Sequence, residues 1–133
     1  MPSPKSIHFD TKRSLQELEN SDWGEPDYPS GLVAECHRLR RLPLEALTVE
    51  NLRILINQSI SLHFLIPLAL EQLKKDPLVS GDCYDGDLLL AVLRSDPQFW
   101  KERSDLKEQV YEIAKQISDE EIAEQLKFFM AVH

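Results

Sequence analysis

The sequence predicts an all-α fold, a single-domain irregular bundle of about six to eight helices with short connections. Three observations predict it. Apolar residues recur at three- and four-residue spacing over most of the chain. Serine-led capping signatures, S-x-x-E or S-x-x-Q, stand before three of these stretches. Only four glycines occur and no alternating strand pattern is found, which disfavours a chain of many tight turns.

The elements follow in order. Residues 1–13 contain Pro2 and Pro4 without clear periodicity and are expected to form a loose lead-in to a domain over 14–133. Ser14 and Glu17 make a capping box, so a short helix should follow with Leu15 and Leu18 inward. Asn20 to Gly31 is dense in turn formers and reads as a loop. From Ser30 the pattern turns helical, with Leu32, Val33, Cys36 and Leu39 on one side, and Pro43 ends this helix or starts a connector.

Thr48 is a good N-cap with Glu50 in the first turn, ahead of a stripe of Leu52, Leu55, Ile56 and Ile60. Pro67 lacks an N–H, so a break is expected between Ile60 and Ile66. Leu68, Leu70 and Leu73 then pack inward until Asp76-Pro77 closes the helix. Val79 to Asp87 reads as an acidic loop. The next segment, Leu88 to Arg94, is apolar on nearly every side and should be central. Ser95 to Gln98 reads as a capping box with an early proline, followed by Phe99 and Trp100 as core residues. Leu106, Val110, Ile113, Ala114 and Ile117 form one face of the next helix. Ser118 to Glu121 is a further capping box, opening a last helix with Ile122, Leu126, Phe129 and Met130 inward.

Composition narrows the function. The 133 residues suit one domain, and an apolar fraction of 42% with 29% charged is ordinary for a globular chain. The net charge of −8 has the wrong sign for phosphate-backbone binding and for a polybasic membrane anchor. An acidic protein is suited to meeting a basic partner, or simply to staying soluble. No run is long and apolar enough to span a bilayer, and the N-terminus lacks a signal-peptide core. Cys36 and Cys83 lie far apart outside any CxxC and read as reduced thiols, so a cytoplasmic location is expected.

No catalytic or metal-binding constellation emerges. In Asp82-Cys-Tyr-Asp85-Gly-Asp87, placing Gly86 at the sixth position of a calcium loop puts Val92 where a bidentate glutamate is required. Cys36 and His37 are adjacent on a helix and cannot face each other as a dyad. His8, His63 and His133 show no ligand spacing, and His63 reads as a core histidine near a helix break. Phosphate-loop, GxSxG and HExxH motifs are missing. Arg38, Arg40 and Arg41 form a small basic cluster better suited to pairing with the nearby acidic loop than to binding phosphate.

Two acidic segments with embedded aromatics remain as partner-binding candidates. The first supplies Glu17, Glu19, Asp22, Trp23, Glu25, Asp27 and Tyr28, with no Lys or Arg between Ser14 and Glu35. The second supplies Asp82, Tyr84, Asp85 and Asp87. Carboxylates around aromatics suit a hot spot against a basic protein. The plain alternative is a solvated loop whose Trp23 folds back onto the core.

Several segments carry a resemblance. They are SLQELE followed by Trp23, the step CHRLRRLPL from Cys36 to Leu44, TVENLR, PLALE and GDCYDGDLL. Together they resemble immunity proteins of bacterial contact-dependent growth inhibition (CDI) systems over roughly Ser14 to Trp100. The resemblance implies a non-catalytic cytosolic antidote without cofactors. It would bind the C-terminal toxin domain of a cognate surface-delivered protein, a basic domain and often a nuclease, in a 1:1 complex. An acidic antidote could occupy the surface that otherwise holds phosphates. The resemblance assigns no contact residues. A helical adaptor for another basic partner is the alternative, and a small hydrolase with paired carboxylates is a third reading.

Overall fold

The computed structural model describes residues 7–26 and 31–131. Among these residues the chain forms eight α-helices and no sheet: α1 (Leu15–Leu18), α2 (Gly31–Leu39), α3 (Val49–Asn57), α4 (Leu62–Lys75), α5 (Asp87–Arg94), α6 (Pro97–Glu102), α7 (Ser104–Ala114) and α8 (Glu120–Ala131). A 3-10 turn, Leu44–Ala46, follows Pro43. The predicted all-α bundle is the fold.

Helix α5 is the centre. Every residue from Asp87 to Leu93 is buried, and the helix packs on α3, α8 and α4. Its apolar run leaves no polar side, which is why other helices must surround it. Helix α7 packs on α4 and α8, and α6 packs on α7. The stripes expected for α3, α7 and α8 supply Leu52, Leu55, Ile56, Leu106, Val110, Ile113, Ile122, Leu126 and Phe129 to one core. An edge-to-face aromatic chain crosses it, from His63 to Phe99, Trp100 and Phe129, with centroid spacings of 5.0, 4.9 and 5.0 Å. The Trp100 indole donates to Ser95 Oγ at 2.9 Å, and that hydroxyl donates to the Val92 carbonyl. The indole is thus buried without an orphaned donor.

Local chemistry sets the helix starts. The Ser14–Glu17 capping box forms, and Thr48 caps α3 in a second box closed by Asn51. Residues 7–13 are tied down: Phe9 meets Phe64 edge-on at 5.0 Å, and the carbonyls of Thr11 and Arg13 accept from the N–H groups of Glu45 and Leu44.

Several expectations are corrected. The break between α3 and α4 lies at residues 58–61, where Ser59 and Ser61 adopt left-handed backbone, and α4 runs through Pro67. The proline, buried at the sixth position of the helix, forfeits one hydrogen bond to the carbonyl of His63, and the packed core around it keeps the helix continuous. Ser95 does not cap α6; it serves Trp100, and Asp96 caps instead by accepting from the Gln98 N–H. Asp119, not Ser118, accepts from the Ile122 N–H at the start of α8. Leu32 and Met130 lie at the surface, Ile60 is half-buried, and His63 is exposed with one ring contact to Phe99.

Candidate partner-binding surface

The two acidic segments sit at opposite ends of α3. The 81–86 loop lies against its first turn through Glu50, and the segment around Glu19 meets Ser61, just beyond its last turn. A nine-residue helix separates them by about 13 Å. The structure therefore presents two local acidic features, each built differently.

The 81–86 loop is organised from within by Asp87, only 3% exposed. One carboxylate oxygen accepts from the Gly81 N–H at 2.7 Å. The other accepts from Cys83 at 3.1 Å and Tyr84 at 3.4 Å. Arg53 Nε stands 3.7 Å from the same carboxylate. Arg53 also grips Glu50 with two hydrogen bonds of 2.6 Å, and Glu50 accepts from the Asp82 N–H at 3.0 Å. The paired guanidinium, assisted by that amide, holds the Glu50 carboxyl below its ordinary value against the opposing effect of burial. Gly81 passes so close to Glu50 that a Cβ there would collide with the carboxylate. Gly86 turns the chain into α5 at φ +86°, where a side chain would be strained.

Asp87 is thus turned away from any partner, and its place in the surface is structural. Asp82, Tyr84 and Asp85 point outward, and Tyr84 is half exposed. Among the described residues, the side chains of Asp82 and Asp85 have no hydrogen bond or ion pair. The loop holds a fixed backbone and offers two free carboxylates beside an aromatic ring.

The first segment is partly neutralised by its own chain. Arg40, 2% exposed, pairs with Glu19, donates to the Ser21 carbonyl at 2.8 Å and lies 4.1 Å under the Trp23 ring. Among the described residues its Nε has no hydrogen-bond partner. Arg41 donates to the Gly24 carbonyl and stands 3.7 Å from Glu25. The expected pairing of this cluster with the acidic segment is found for Arg40 and Arg41, while Arg38 pairs with Glu35 on its own helix. Glu17 is used in its capping box, and Asp22 accepts from the Gly24 N–H at 2.7 Å. Trp23 takes a middle course: it folds onto Arg40 and His37 yet keeps 43% of its surface exposed. Asp27 and Tyr28 lie outside the described residues.

Sequence reasoning missed the Glu50–Arg53 clasp and the burial of Arg40. The i,i+3 spacing of Glu50 and Arg53 was a signal for the first. Nothing local signals the second, because α1, residue 21 and residue 61 must all converge on Arg40.

The thiols differ. Cys36 is buried in the core, and burial, aided by the Glu35 charge, raises its pKa; Cys83 is exposed on the acidic loop. Among the described residues no group of three or more His, Cys, Asp or Glu is placed to hold a metal ion, and no helix is long and apolar enough to cross a membrane.

No curated protein matches the chain. A family model described as CDI immunity proteins matches residues 17–110. That span runs from α1 through most of α7 and includes both acidic segments and the central helix. It also contains the SLQELE, TVENLR and GDCYDGDLL segments, except for the first residues of SLQELE. By this match the chain belongs to the family of CDI immunity proteins.

Proposed function

We propose that this protein neutralises a basic nuclease toxin domain by binding it as a 1:1 complex in the cytoplasm, with its acidic surface opposed to the toxin's phosphate-binding surface. Family membership makes a cognate CDI toxin the partner. The observation that carries the finer reading is the 81–86 loop. Its backbone is fixed by Asp87 and Glu50, while the Asp82 and Asp85 carboxylates have no ion-pair partner among the described residues and stand beside Tyr84. A preorganised acidic loop loses little entropy on binding, and its charge accelerates encounter with a basic surface. Glu17, Glu19, Asp22, Trp23 and Glu25 form the second part of the contact, with Trp23 as its aromatic anchor. Asp87 acts there as a positioning residue.

The test is co-expression with the C-terminal domain of the CDI protein encoded immediately upstream. Rescue of growth, co-purification and an affinity that falls as salt rises are expected. Asp82→Ala with Asp85→Ala should weaken the complex by about tenfold or more while leaving the fold unchanged. Unchanged affinity would remove this loop from the interface. No rescue and no complex would reject this toxin and leave the adaptor reading.

A further inference from the structure

Three side chains from the C-terminal end of α2 converge on residues 19–25. His37, Arg40 and Arg41 are spaced i, i+3 and i+4 and so share a face. Arg40 reaches Glu19, the Ser21 carbonyl and the Trp23 ring, while His37 and Arg41 both meet the Gly24 carbonyl, at 3.0 and 2.8 Å. The backbone is left-handed at Asn20 (φ 50°) and Gly24 (φ 69°), on either side of Trp23. The indole is thus pinned from both flanks, with its face on the guanidinium and His37 edge-to-face at 5.2 Å.

The sequence makes this segment acidic, and the fold spends that acidity. Glu17 closes a capping box, Glu19 pairs with Arg40 and accepts from Ser61, Asp22 accepts from the Gly24 N–H, and Arg41 stands beside Glu25. A toxin cation approaching Trp23 would meet Arg40 across the ring and Arg41 beside it. What the segment leaves on offer is an indole with 43% of its surface exposed. Arg40 itself is 2% exposed, and among the described residues its Nε has no acceptor. A buried cation with an unpaired donor is a costly way to fill space, and an apolar side chain there would pack at least as well. What the guanidinium adds is a flat charged platform that holds an indole by its face and leaves part of it in water.

We propose that Arg40 is a positioning residue, presenting Trp23 as a fixed anchor for an apolar side chain of the toxin domain, and that the two acidic segments divide the work. The 81–86 loop takes the toxin's cations, and the 19–25 segment makes its apolar contact. The inference rests on the proposed antidote role and names what each part of that surface recognises. Encounter then depends on Asp82 and Asp85, and retention on Trp23.

The experiment measures association and dissociation rates of the full chain with the C-terminal domain of the CDI protein encoded immediately upstream, over a salt series. Trp23→Ala should weaken the complex by about tenfold or more through faster dissociation, with the wild-type salt dependence of the affinity retained. Asp82→Ala with Asp85→Ala should instead slow association and flatten that dependence. Arg40→Met should lose about as much affinity as Trp23→Ala and cost nothing more in the Trp23→Ala background, a coupling that a merely destabilising change would not show. Where Arg40→Met fails to fold, Arg40→Lys, which keeps the charge without the flat platform, takes its place in the same cycle. Wild-type affinity in Trp23→Ala, or a flattened salt dependence there, overturns the inference and leaves the antidote role standing. Additive losses from the Arg40 and Trp23 variants overturn the positioning of one by the other. A wild-type chain that forms no complex overturns both the inference and the reading it rests on.

Discussion

Asp87 is the residue on which the acidic loop depends. Three backbone N–H groups converge on its carboxylate, and Arg53 stands behind it. Asp87→Ala would leave those donors without their acceptor in a partly buried site. A loss of about 2 to 4 kcal/mol is expected, read by urea denaturation. Asp87→Asn keeps one acceptor and should lose less. Glu50 gives a pH signature. Its folded pKa is held below the ordinary 4.5 by Arg53, so its contribution is fully present above 4.5 and is lost as pH falls through the folded value. Glu50→Gln should therefore be less stable than wild type near neutrality, with the difference shrinking as thermal melts are taken into acid.

At the scale of elements, the start of α8 gives the cleanest test. Asp119 rather than Ser118 accepts the amide of Ile122. Asp119→Ala should cost about 1 kcal/mol, and Ser118→Ala should cost much less, measured by chemical denaturation. Both serine and aspartate suit an N-cap, so the sequence could locate this start only to within one residue. The same limit explains Ser95, whose hydroxyl is taken by the Trp100 indole while Asp96 caps. Pro67 misled for another reason. The signal for a helix break is strong in a proline, yet the break belongs to Ser59 and Ser61, which carry no breaker signal of their own. Where periodicity was long and one-sided, as in α3 and α7, the buried face followed the sequence closely.

For the whole molecule, the all-helical bundle and its central α5 were legible because burial of an apolar helix on every side requires neighbours on every side. The acidic segments were legible as composition but not as geometry. Sequence spacing cannot reveal that Asp87 faces inward while Asp82 and Asp85 face water, because the donors that hold Asp87 are assembled by the fold. Nor can it reveal that Arg40 spends its charge on Glu19 and its face on Trp23. The Phe128 side chain likewise reads as one more apolar residue of an amphipathic helix until the core is built and found not to need it.

The placement of the two tryptophans makes the protein its own optical reporter. Trp100 is enclosed among aromatics in the core, and Trp23 rests on a guanidinium at the acidic surface. Replacing Trp23 by Phe leaves an emission that follows unfolding. Replacing Trp100 by Phe leaves one that responds to whatever approaches the first acidic segment. The two events can then be watched separately in the same chain, without any attached dye.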